Sequence, residues 1–134
     1  MNWIAKQIRW IMLISGALTC TMLYAAFAPT AALTSNFGSS LTGPVAEVVV
    51  RNWGVLIGLV GVMLIYGAFQ TTVRRFVLCI AAASKLTFIG LVLTFGRDLL
   101  AYQVRVAVVI DAIWVIVFMA YLVSARGAPS HPAT

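Results

Sequence analysis

The sequence predicts an all-α integral membrane protein built as a four-helix transmembrane bundle, and three observations carry that reading. Apolar residues make up 63% of the 134 residues and charged residues 9%, whereas soluble domains run near half and about a quarter. The apolar residues gather into four stretches close to the roughly 20 residues that cross a bilayer. Ten of the twelve charged residues lie at or beyond the ends of those stretches; Lys85 and Asp111 do not. A single four-span domain over residues 1–126 uses nearly the whole length.

Span one is expected near 10–28. "MNWIAKQIRW" sets Lys6 and Arg9 ahead of "IMLISGALTCTMLYAAFA", which outwardly resembles a signal peptide with an A-x-A site at Ala26-Phe27-Ala28. The apolar run exceeds the 7–15 residues of a signal core and Pro29 follows at once, so a retained span is expected. Residues 29–43, rich in Ser, Thr and Gly, read as a polar connection. Pro44 can open the next helix where its missing N–H does no harm, with the span proper over 50–69. Glu47 and Arg51, four residues apart, can form a helix ion pair in the favourable order, and Trp53 reads as an interfacial anchor. "QTTVRR" reads as a basic turn before span three, 76–95. "GRDLLAYQ" leads to span four, 104–124, and the Pro/Ala-rich 127–134 reads as a disordered cytoplasmic tail.

The net charge of +6 does not point to nucleic acid, because the basic residues are scattered between apolar stretches rather than clustered on a soluble face. Beside membrane spans they set topology. Lys6, Arg9, Arg74, Arg75 and Arg126 fall at one end, and Arg51, Arg97 and Arg105 at the other, so both termini are expected in the cytoplasm (N-in/C-in). The lipid bilayer is the expected surrounding.

Lys85 is the conspicuous residue. It stands in the middle of "FVLCIAAASKLTFIGLVLTF". A central lysine costs about 2.5–3.5 kcal/mol of insertion free energy, and each Leu, Ile, Phe or Val returns about 0.3–0.6. The eleven such residues of this stretch offset the lysine by roughly 3–7 kcal/mol, so the span inserts, but that does not explain the charge. Intramembrane charges face the bundle and pair. Asp111 lies about 4.5 Å of helix rise from the middle of span four, well within the reach of a lysine stem. Lys85 and Asp111 are therefore an expected intramembrane pair, either an interhelical lock, a proton or ion site, or a charged anchor for a lipid or quinone headgroup. Ser15 and Thr19 of span one can add hydroxyls at similar depth.

Gly54, Gly58 and Gly61 share one face of span two and let another helix approach closely, from the same chain or from a second copy. Glu47, Arg51, Arg97 and Arg105 are a candidate anion or lipid-headgroup site at the outer interface, or simply a rim of ion pairs. Cys20 and Cys79 read as small apolar core residues, too far apart along the membrane normal for a disulfide. The only histidine, His131, is in the tail. No catalytic residues, metal ligands or cofactor motifs are expected from this pattern.

"VVVRNWGVLIGLVGVMLIYGAF", "ASKLTFIGLVL" and "IDAIWVIVFMAYL" resemble the small bacterial four-helix membrane proteins of the DoxX-like kind, in size and in an arginine followed by glycine at the start of span two. The likeness covers roughly residues 44–124 and implies the fold and a multi-pass place in the bacterial inner membrane. Some proteins of that name belong to oxidoreductase complexes, but no redox motif here matches.

Three functions fit the sequence. The leading one is a non-enzymatic accessory or interaction subunit working with a membrane-protein partner; a homodimer is expected if the protein is a carrier. A small proton-coupled carrier titrating Lys85 and Asp111 is the alternative, and a subunit of a membrane oxidoreductase is the third.

Overall fold

Where span two meets span one, glycine faces inward and branched aliphatic residues face outward. On the second long helix Gly54, Gly58 and Gly61 are buried while Val55, Leu59 and Val62 are exposed. That inverts the soluble pattern and suits helices that meet each other through close packing and lipid through branched side chains. In the computed structural model, which describes residues 2–126, the elements are helical throughout. α1 (Asn2–Cys20) continues through a 3₁₀ turn at Thr21–Leu23 into α2 (Tyr24–Phe27). There follow α3 (Pro29–Phe37), α4 (Pro44–Phe69), α5 (Thr71–Phe95), a 3₁₀ stretch at Arg97–Ala101 and α6 (Val104–Arg126). Four segments, Trp3–Phe27, Pro44–Phe69, Thr71–Phe95 and Val104–Arg126, are long and apolar enough to cross a membrane. The chain is a multi-pass, all-α membrane protein. The 127–134 tail, with His131, lies outside the described residues.

The long helices follow one another around a ring, α1 packing most extensively on α4, α5 between α4 and α6, and α1 only lightly on α6. The α1–α4 seam is tight because glycines face it from both sides. A Cβ placed on Gly61 would lie 2.6 Å from Cys20 Sγ and 2.7 Å from the Gly16 carbonyl oxygen. One placed on Gly16 would lie 2.8 Å from the Gly61 carbonyl oxygen. The sequence pattern marked Gly61 but not its counterpart Gly16.

At the end of the bundle holding the start of α1, the α4–α5 turn and the end of α6, the interior is solid. Ile8, Met12, Leu64, Ala68, Val77, Leu78, Ala81, Ala82, Phe118 and Leu122 form one buried cluster. Only Gln70 separates α4 from α5, so "QTTVRR" is not a turn: Thr71 already opens α5, and Arg74 lies in its first turns. Arg74 donates from Nε to the Gly67 carbonyl (3.0 Å) and from a terminal nitrogen to the Ala68 carbonyl (2.7 Å). It thereby satisfies acceptors that the end of α4 leaves free. Arg9 lies over the Phe69 ring, 4.8 Å from its centre.

The opposite end is built differently, and the expected 29–43 connection is mostly helix. Pro29 opens α3 at its first position and Gly38, with φ 75°, closes it in the left-handed conformation, the usual proline-first, glycine-last asymmetry. Only residues 38–43 lie outside helix. α3 folds back on α2. Asn36 Nδ2 donates to the Tyr24 hydroxyl (2.9 Å), which also shares a hydrogen bond with Ser35 Oγ (3.0 Å). Span one also starts earlier than 10, at Trp3.

Candidate functional site

Lys85 sits on the inward stripe of α5 that begins with Val77, Leu78, Ala81 and Ala82. Asp111 lies on α6 one turn before buried Val115 and two before Phe118. The two stripes converge, and Lys85 Nζ donates to Asp111 Oδ1 at 2.5 Å. The lysine side chain is 8% exposed and the aspartate 20%. Burial of both charges is tolerated because each neutralises the other at hydrogen-bonding distance; either one alone would strand its partner. The pair has capacity to spare. An ammonium has three donors and a carboxylate two oxygens, while among the described residues one bond joins them and no other protein group bonds either.

The pair lies in the wall of a partly open cleft of about 710 Å³ that occupies the α3 end of the bundle. α1 and the turn after it contribute Leu18, Thr19 and Met22; α4 contributes Trp53, Ile57 and Val60; α5 contributes Ser84, Phe88 and Leu91; α6 contributes Ala107 and Trp114. Asn36 and Phe37 of α3 border it too. Lys85 and Asp111 are the only charged residues among those that line it. Its depth along α6, from Val104 to Asp111, is about 10 Å at 1.5 Å per residue. Thr19 also lines it, its hydroxyl donating to the Ser15 carbonyl (2.7 Å). One turn further, Ser15 Oγ is buried and has no partner among the described residues. Trp114 stacks on Phe118 with ring centres 6.3 Å apart, so the cleft lining runs directly into the solid core.

Trp53, read from sequence as an interfacial anchor, packs against Phe37 with ring centres 6.0 Å apart and forms part of the cleft wall. Cys20 is half-buried, its thiol 3.7 Å from the Gly58 carbonyl. Cys79 is exposed on the outside of α5 rather than in the core, lying with exposed Ile80 between the buried positions Leu78 and Ala81; both thiols are free.

The outer charges are engaged locally. Arg51 bonds Glu47 (2.9 Å) and, through Nη1, the Ala26 carbonyl at the end of α2 (2.5 Å). It thus caps a neighbouring helix end. Arg97 donates to the Leu93 carbonyl (2.8 Å). Among the described residues no bond joins Arg97 or Arg105 to the Glu47–Arg51 pair, and no group of three or more His, Cys, Asp or Glu could hold a metal ion. Gly54, Gly58 and Gly61 all face span one: Gly54 meets Ala25, Gly58 meets Leu23 and Gly61 meets Cys20.

No family model matches the chain, and no curated protein or solved structure matches it.

Proposed function

We propose that this is a non-enzymatic membrane protein whose working part is the cleft. It holds a small, mostly apolar molecule between its helices, and the Lys85–Asp111 pair is the polar anchor. One observation carries the reading: a cavity of about 710 Å³ with a mostly apolar lining and one largely buried ion pair in its wall. Binding sites for small molecules are typically about 300–1,000 Å³, apolar, and oriented by a few placed polar groups between helices. A pure lock needs the pair but not the cavity.

The basic residues at the solid end, Lys6, Arg9, Arg74, Arg75 and Arg126, favour that end in the cytoplasm. The cleft then opens toward the outer leaflet of a bacterial inner membrane, as the DoxX-like resemblance implies. A carrier would need a second opening through Met12, Leu78 and Phe118, which are fully buried. The one-sided cleft therefore favours an accessory or receptor role, presenting its ligand to a membrane partner.

The test is purification in mild detergent, with extraction and mass spectrometry of small molecules that stay bound. One apolar compound at near-stoichiometric amount is expected, lost in Ala107→Phe, which fills the cleft. Recovery of the same bulk lipid from both proteins would overturn the reading.

A further inference from the structure

Given that the cleft is a binding site, the charge balance of its lining decides what it takes. Lys85 and Asp111 are its only charges, they carry opposite signs, and they neutralise each other at 2.5 Å. A ligand with its own net charge would bring an uncompensated charge into a low-dielectric wall, which is costly unless a counter-charge is free to meet it. Here neither partner is free. A purely apolar ligand, on the other hand, would leave the spare N–H donors of Lys85 and the second oxygen of Asp111 dry and unmatched, again at a cost.

We propose that the cleft selects uncharged, lipid-like molecules carrying a hydroxyl, a small neutral group that both accepts from the lysine and donates to the aspartate. The apolar body lies among Ile57, Val60, Phe88 and Trp114, and the hydroxyl reaches the pair about 10 Å below the start of α6. A free long-chain alcohol and the alcohol group of a neutral glyceride share this chemistry. Ser84 and Thr19 also line the cleft and add no charge to it.

The experiment uses the full chain in nanodiscs of neutral lipid and reads quenching of tryptophan by brominated ligands, since Trp114 and Trp53 line the cleft. The probes are a bromoalkane and the matched bromo-alcohol, bromo-carboxylate and bromo-alkylammonium, with a brominated monoacylglycerol as the glyceride arm. The alcohol is expected to bind at least about tenfold more tightly than either ion and than the bromoalkane. Whether the glyceride matches or exceeds the alcohol names the source of the hydroxyl. Single-charge variants then make the selectivity change sign. Asp111→Asn leaves Lys85 uncompensated and should favour the carboxylate; Lys85→Gln leaves Asp111 and should favour the ammonium. Should either variant fail to fold, the paired change Lys85→Met with Asp111→Leu should bind the alcohol no better than the bromoalkane. A wild-type protein that binds the carboxylate or the ammonium as tightly as the alcohol, or variants that keep the wild-type order, would overturn the selectivity while leaving the cleft a binding site. Absence of saturable quenching by every probe would instead remove the binding site itself.

Discussion

The two ends of this bundle are made from the same four helices and nearly the same apolar residues, yet one end is solid and the other is hollow. At the solid end small residues alternate with large ones, Ala68, Ala81 and Ala82 between Leu64, Leu78 and Phe118, and α4 and α5 are tied by a one-residue link that Arg74 caps. At the hollow end span one stays tight on α4 through Gly54 and Gly58, but a cleft opens between these helices and α5 and α6. α3 is folded in beside α2, and aromatic side chains from α3, α4 and α5 (Phe37, Trp53 and Phe88) stand along the gap. Lys85 and Asp111 lie where one regime becomes the other. Helix interiors in a membrane close only where shapes fit, since no hydrophobic effect pulls helices together there. A gap of this size is therefore maintained by specific residues.

The largest contrast should come from truncating one phenylalanine in each half. Phe118→Ala, at 0% exposure, should cost roughly 3–5 kcal/mol in reversible unfolding by denaturing detergent. Phe88→Ala, which borders existing space, should cost under about 1 kcal/mol. Equal costs would erase the distinction between the halves. Next in size is the pair at the boundary. Lys85→Ala should cost about 3 kcal/mol, the low end for stranding a buried charge, because Asp111 keeps some exposure. The double change Lys85→Met, Asp111→Leu should recover most of that in the same assay. Arg74→Met should cost about 1.5–3 kcal/mol through two lost charge-assisted bonds, and protease cleavage at Gln70 would show the loosened turn.

The sequence carried the broad design because hydropathy and span length are local properties, and Lys85 and Asp111 stood out because charge is rare in lipid. The helix at Pro29–Phe37 was legible in principle: Pro29 at a helix start and Gly38 just past the end are a recognised pair, but the Ser, Thr and Asn between them read as loop. The cleft was not legible. No residue type marks an absence of packing, and Trp53 and Phe88 look the same in sequence whether they fill space or border it. Arg74 read as topology because a guanidinium that caps a helix end and one that faces headgroups share a sequence position.

A smaller contrast concerns the clasp at the hollow end. A Cβ on Gly38 would fall within 2.2 Å of the Tyr102 ring in a backbone of φ 75°. Gly38→Ala should therefore cost about 1–2 kcal/mol and free α3, with faster hydrogen exchange over 29–37 and little change at the solid end. Exchange rising equally at both ends would show that the halves are not independent.

The division into halves is tested most directly on a single helix. Met12 and Thr19 lie on the same buried stripe of α1, Met12 in the solid core and Thr19 in the cleft lining. In a protein with Cys20→Ala and Cys79→Ser, a cysteine is placed at one position or the other and challenged with methyl methanethiosulfonate, a small reagent that enters membranes. Thr19→Cys should react readily in the folded protein, and Met12→Cys only when it unfolds. Equal reaction at both positions, or protection at both, would contradict a bundle that is closed at one end and hollow at the other.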